Sequence, residues 1–228
     1  MPLPVKNKKI DRPSMRDTVY NKLLDWIVEG VLLPGEKVVD KELAAHMGVS
    51  RTPVREALRR LEDKNLIESS ANRWTRVAKI PPREPEMIYP IIWTLETLAL
   101  STAIQGITPE DLSLMKQANE QLETALEKEE PVAASKADAE FHEIFIRRSL
   151  NTHLIKILHD LKIRYRRLEV IFFDASDHDR SSIKEHETLM TALETGDLAQ
   201  AEQTIRSNWK KSLDRLRIRL NAEKHQED

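Results

Sequence analysis

Apolar side chains recur at three- and four-residue spacing through most of the chain, and one short stretch breaks that rhythm. Val19, Leu23, Trp26 and Ile27 form a stripe that predicts a helix over 15–29, stopped at Gly30 and followed by the turn Leu33-Pro34-Gly35. Asp40 is placed to cap a short helix, Lys41 to Met47. After the connector Gly48-Val49-Ser50, a third helix starts with Ser50 as its cap and ends near Asn65. From Leu66 to Ile80 the period falls towards two around the polar tip Ser70-Ala71-Asn72-Arg73, which predicts a β-hairpin. The prolines of Ile80-Pro81-Pro82-Arg83-Glu84-Pro85 then interrupt any helix. Beyond them the helical period returns in six segments, about 86–105, 109–129, 132–149, 152–174, 179–194 and 198–221. Thr108-Pro109-Glu110-Asp111 is a capping sequence, and Gly196-Asp197 joins a helix stop to a cap.

The expected architecture is mainly α. A winged helix-turn-helix domain with a basic arm fills residues 1–80, and 81–85 form a linker. An all-α antiparallel helical bundle fills 86–221, and 222–228 form a polar tail. Five glycines in 228 residues leave little room for a Gly-rich nucleotide fold or a β-sandwich. The absence of cysteine excludes disulfides, zinc fingers, iron–sulfur clusters and thiol nucleophiles. With no secretory h-region near the start and no apolar run approaching the roughly 18 residues of a membrane span, the expected location is cytoplasmic. Charge divides unevenly: residues 1–80 hold 16 Lys+Arg against 11 Asp+Glu, whereas 81–228 hold 20 against 27. A polyanionic partner is therefore expected at the first domain only.

Three helices and a hairpin in a basic domain present the start of the third helix to a DNA major groove. Arg51 and Arg55, four apart, share one helix face there. Arginine forks onto guanine, and the hydroxyls of Ser50 and Thr52 suit phosphates or base edges. Taken alone, two such arginines are usually solvated surface charges, here near Asp40, Glu42 and Glu56, and it is the helix pair, connector and hairpin in order that shift the balance to DNA reading. Arg59 and Arg60 lie beyond the reading end and read as phosphate neighbours or plain surface.

Leu33-Pro34-Gly35-Glu36, Glu42-Leu43-Ala44 and Gly48-Val49-Ser50-Arg51-Thr52-Pro53-Val54-Arg55-Glu56-Ala57-Leu58 together resemble the GntR family of bacterial transcription regulators. The resemblance implies a dimer on a palindromic operator, read by the third helix and the wing. By matching positions it assigns DNA contacts to Lys41, Arg51, Arg55 and the wing tip. The tip departs from the family in having Asn72 in place of a frequent glycine, with Arg73 beside it as a groove or phosphate contact.

In the acidic half, Asp138 and His142 are one helical turn apart, and His186 lies in a later helix. Such a trio could hold Zn, Ni or Mn, or the histidines could be ordinary surface or core residues. The segment around Asp138 and Phe141-His142, followed by Glu185-His186, resembles the effector-binding (FCD) domain of FadR-type GntR regulators. That resemblance implies a divalent metal on Asp138, His142 and His186 with a small carboxylate effector against it. The fourth histidine of the pattern is Asn208 here, which would serve as a weak ligand or as a hydrogen-bonding partner of the effector. An arginine frequent in relatives four residues before Glu96 is Ile92 here, followed by Trp93. An anionic effector would then be met by metal or by Arg147, Arg164 or Arg167. Leu161 to Leu168 reads as a solvated basic face with Leu, Ile and Tyr turned inward, and Phe172-Phe173 as core or cavity wall.

These readings point to a ligand-responsive transcription regulator. Two alternatives are a metal-dependent hydrolase-like enzyme in the helical half and a DNA-binding protein with no ligand.

Overall fold

The computed structural model describes residues 15–70, 73–171 and 181–224. It divides into two compact units, the first ending at Lys79 and the second running from Ile80 onward, with Val28–Gly30 grouped in the second.

In the first unit, α1 (Met15–Val28) buries Val19, Leu23 and Ile27, α2 (Asp40–Met47) buries Ala44, and α3 (Arg51–Asp63) buries Val54, Ala57, Leu58 and Leu61. Gly48 ends α2 in the left-handed region, at φ 66°, where its missing Cβ removes the steric cost. The wing is the antiparallel pair β1 (Ile67–Ser70) and β2 (Trp74–Val77), in register Ile67↔Val77 to Ser70↔Trp74. The segment after Pro34 does more than turn. Gly35 and Val38 donate to Val77 and Thr75, and Lys37 bridges Arg76, so an extended stretch lies along β2.

The second unit is a helical bundle: α4 (Glu84–Ala103), α5 (Pro109–Glu127), α6 (Pro131–Arg148), α7 (Thr152–Ile171), α8 (Ser181–Thr195) and α9 (Leu198–Lys224). Helix α4 is the hub, packing on α6, α7 and α9, while α5 pairs with α6 and α8, and α8 with α9. Helix α4 starts two residues earlier than the sequence suggests, because proline is tolerated in a first helical turn, where Pro85 sits. The capping box at Thr108 forms, with Asp111 donating backbone N–H to the Thr108 hydroxyl and its carboxylate accepting from the Thr108 backbone. Asp197 caps α9 by accepting from Gln200 N.

Two expectations need correction. Residues Glu84–Gly106 are long and apolar enough, with mean hydropathy 1.4, to cross a membrane by length and composition. Ile88, Tyr89, Ile92, Ala99 and Leu100 are nevertheless buried in the bundle core, as suits the central helix of a packed domain. The stretch Leu161 to Leu168 is not a solvated basic face either, since Lys162 and Arg167 are both buried. Phe172 and Phe173 lie outside the described residues.

Candidate DNA-reading surface and metal centre

The start of α3 is open to solvent. Arg51 is its first residue and Arg55 lies one turn on. Ser50 holds the N-cap position with extended backbone, and its hydroxyl makes no capping bond. Lys41, Ser50, Arg51, Thr52, Arg55 and Arg73 are all exposed, whereas Asn72 lies outside the described residues. Asp40 does not cap α2, whose N-cap is Val39. Its carboxylate instead takes Arg51 Nη2 at 3.0 Å and Arg55 Nε at 2.6 Å. Arg60 serves as a strut within the unit. It pairs with Asp17 at 2.8 Å and covers the Tyr20 ring at 3.9 Å, tying α3 to α1.

In the bundle, Asp138 and His142 project from α6 towards His186 of α8, and one ligand atom from each lies within 4.8 Å of the others. Asp138 Oδ1 is 3.7 Å from His186 Nε2, and Oδ2 is 3.9 Å from His142 Nε2. Those gaps are too long for hydrogen bonds but suit a cation bonded at roughly 2.0–2.2 Å to each group.

The second shell fixes which nitrogen faces the gap. His142 Nδ1 is 2.8 Å from Glu96 Oε2, and His186 Nδ1 is 2.9 Å from Asn119 Oδ1. Each Nδ1 donating outward leaves the Nε2 lone pair for the centre. His186 lies flat on Phe141, with centroids 3.7 Å apart, and its Nε2 is buried without a hydrogen-bond partner. Burial, and the neighbouring His142, push the His186 pKa well below its ordinary value, so the ring is neutral and able to coordinate.

Glu96 is completely buried and gathers three donors. His142 is one, Trp209 Nε1 at 2.7 Å is the second, and Lys162 Nζ at 2.5 Å is the third. Burial pushes its carboxyl up, but His142 and Lys162 outweigh that and hold it at about 2. Asn208 donates to Glu185 Oε2 at 2.9 Å, and Glu185 also pairs with Lys211 at 2.6 Å. One Nδ2 N–H is committed there, and Oδ1, the amide's acceptor atom, is what Asn208 has to offer a cation.

Asp138 and Asn208 line one cavity of about 80 Å³, together with Ser135, Tyr165, Glu169, Ser212, Arg215 and Arg219. The cations proposed from sequence are elsewhere. Arg147 pairs with Glu143, Arg164 faces Glu84, and buried Arg167 is lowered by desolvation to about 10. None of the three lines the cavity, where Arg215 and Arg219 stand instead. Ile92 is a core residue and Trp93 packs against the same core. Glu96 was the residue to notice in the sequence. A carboxylate inside the apolar run Ile91-Ile92-Trp93-Thr94-Leu95 and Leu98-Ala99-Leu100 signals a buried, paired charge.

Residues 15–77 match the family model "Bacterial regulatory proteins, gntR family", and residues 88–210 match the FCD domain. The HTH-type transcriptional regulator YdhC of Bacillus subtilis is 25% identical over 211 residues, covering 92% of this chain and 94% of its own length. The regulator McbR of Escherichia coli K12 is 34% identical over 120 residues, 53% of this chain and 54% of McbR. The solved structure of E. coli McbR/YncC superposes with a TM-score of 0.79 at 26% identity, covering 89% of this chain and 97% of that one. These relatives are regulators of transcription and none is an enzyme. With both of its units matched in order, the chain belongs to the GntR family of bacterial transcription regulators, carrying an FCD domain behind its helix-turn-helix, and is not an enzyme.

Proposed function

We propose that the protein acts in the cytoplasm as a homodimer on a palindromic operator, and that a small carboxylate effector in the helical domain modulates operator affinity. Lys41, Ser50 and Thr52 meet phosphates, Arg51 and Arg55 read bases, and Asn72 and Arg73 bring the wing to the adjacent groove. Asp138, His142 and His186 hold a divalent Zn, Ni or Mn ion, and Asn208 Oδ1 faces the effector or completes the shell.

The observation that carries the effector half is the pair of imidazoles whose Nδ1 atoms are both engaged, so that two Nε2 atoms face Asp138 beside a cavity holding Arg215 and Arg219. When bound, a divalent ion supplies a Lewis-acid anchor for a carboxylate. Arg215 and Arg219 supply charge and hydrogen-bond donors to the rest of an anion, and the hydroxyls of Ser135, Ser212 and Tyr165 suit its polar substituents. An effector that binds one arrangement of the dimer better shifts operator affinity by the coupling free energy, typically about 1–3 kcal/mol.

Elemental mass spectrometry on protein purified without an affinity tag or chelator tests this reading. Close to one transition-metal equivalent per chain, lost in His142→Ala, is the expected result. Protein that stays metal-free after dialysis against Zn, Ni and Mn would overturn the metal assignment and turn the effector search towards ligands held by hydrogen bonds alone.

A further inference from the structure

Arg51 and Arg55 do not wave freely from α3. Both converge on the carboxylate of Asp40 in the first turn of α2. Arg51 donates from Nε at 3.3 Å and from Nη2 at 3.0 Å, and Arg55 donates from Nε at 2.6 Å. Asp40's side chain is itself only 18% exposed, while those of the arginines are 54% and 65% exposed. A half-buried anchor therefore grips two otherwise solvated groups.

The edge of each guanidinium that is gripped matters. Guanidinium has five N–H donors in a fixed planar fork, and Asp40 takes the Nε side of both. Arg51 meets the carboxylate through Nε and Nη2 and Arg55 through Nε, which leaves the Nη1 end of each guanidinium outside these bonds. That end is one that can fork onto guanine O6 and N7. An exposed ion pair contributes little to folding, so stability does not account for a carboxylate placed beside two DNA-reading cations. The same negative charge also weakens the pull of both arginines on a phosphate backbone, the sequence-independent part of DNA affinity.

We propose that Asp40 is a specificity-determining positioning residue, which aligns Arg51 and Arg55 for base reading and suppresses their use on phosphates. The proposal rests on the reading of α3 as the base-contacting helix. It predicts that Asp40 raises specific binding and lowers non-specific binding together, which a residue that merely subtracted charge could not do.

The test uses a consensus duplex recovered by selecting a random duplex library with the wild-type protein, and a shuffled duplex of the same composition. Asp40→Asn keeps the size and polarity of the side chain, and its melting curve serves as the folding check. The expected result is about tenfold weaker binding to the consensus and tighter binding to the shuffled duplex, with a salt slope on the latter steeper by about one phosphate contact. Asp40→Glu, which keeps the charge, should restore weak binding to the shuffled duplex. An unchanged ratio between the two duplexes, equal tightening on both, or equal weakening with a lowered melting temperature would each overturn the proposal. Arg51→Ala and Arg55→Ala, measured alongside, separate the two levels. If neither weakens consensus binding, the reading of α3 itself fails. If both do while Asp40→Asn leaves the ratio alone, only the role of Asp40 falls.

Discussion

The proposed reading head and the proposed metal centre are built with the same device in opposite solvents. At the start of α3, Asp40 grips two arginines by one edge. In the bundle, Glu96 and Asn119 grip two histidines by Nδ1, leaving Nε2 for the centre. In water the grip is weak in energy and its product is orientation. In the core the same kind of bond joins a completely buried carboxylate to a buried lysine and a buried imidazole, where losing one partner strands the others. Where a carboxylate sits decides whether it holds the fold or only aims a side chain.

The largest effect expected from that contrast is on stability. Glu96→Ala leaves Lys162 buried without its partner and should cost about 3–5 kcal/mol in chemical unfolding, whereas Asp40→Ala should cost no more than about 1 kcal/mol. Equal costs at the two sites would break the comparison. Next comes the orientation of the imidazoles. Asn119→Ala removes the acceptor that fixes the His186 ring and should weaken metal affinity by roughly 10–100-fold without abolishing it. An unchanged affinity would mean that stacking on Phe141 orients the ring by itself. On the exposed side, Arg51→Ala and Arg55→Ala should each lower consensus-duplex affinity by about 1–3 kcal/mol while leaving the melting temperature in place.

The same contrast governs what could be read in the sequence. Short-range signals carried the fold. The stripe Val19, Leu23, Ile27, the connector at Gly48, the two-residue period of the wing and the cap at Thr108 are local, and each became the element it predicted. Arg51 and Arg55 were legible because i and i+4 fix a shared face. The sequence places Asp40 near both arginines but gives its carboxylate to the cap of α2, and only tertiary packing commits it to residues 11 and 15 positions later. Asp138 and His142 were legible for the same reason as the arginines. Lys162, Asn119, Arg215 and Arg219 were not, because they come from three other helices and meet only through packing, and the apolar run around Glu96 marks a buried charge without naming its partners. Lys162 shows the cost of counting charge without tertiary structure. In a run of Lys and Arg it looked like surface, and only a carboxylate 66 positions earlier in the chain makes its burial tolerable.

Glu169 offers a finer test, because its environment sets it apart from both carboxylates. It is a cavity-lining group that accepts from Tyr89 Oη at 2.8 Å and Ser212 Oγ at 3.0 Å. Burial raises its pKa above the usual 4.5, with the nearby charge of Asp138 adding to the rise. The bonds from Tyr89 and Ser212 and the charge of Arg215 only partly oppose it. The folded state therefore keeps this proton at a pH where the unfolded chain has lost it. Its contribution to stability is complete below 4.5 and disappears as pH rises through the folded value. Asp40 runs the other way. Desolvation raises its pKa, but Arg51 and Arg55 outweigh that and lower it, so what it contributes is present above 3.8 and lost as pH falls. Glu169→Gln, which cannot titrate, should gain melting temperature relative to the wild type as pH is raised from 4.5, and Asp40→Asn should show no such gain over that window. A flat difference for Glu169→Gln would place its carboxylate in an environment no more apolar than that of Asp40, and the contrast between the wet and dry sites would then not extend to the cavity wall.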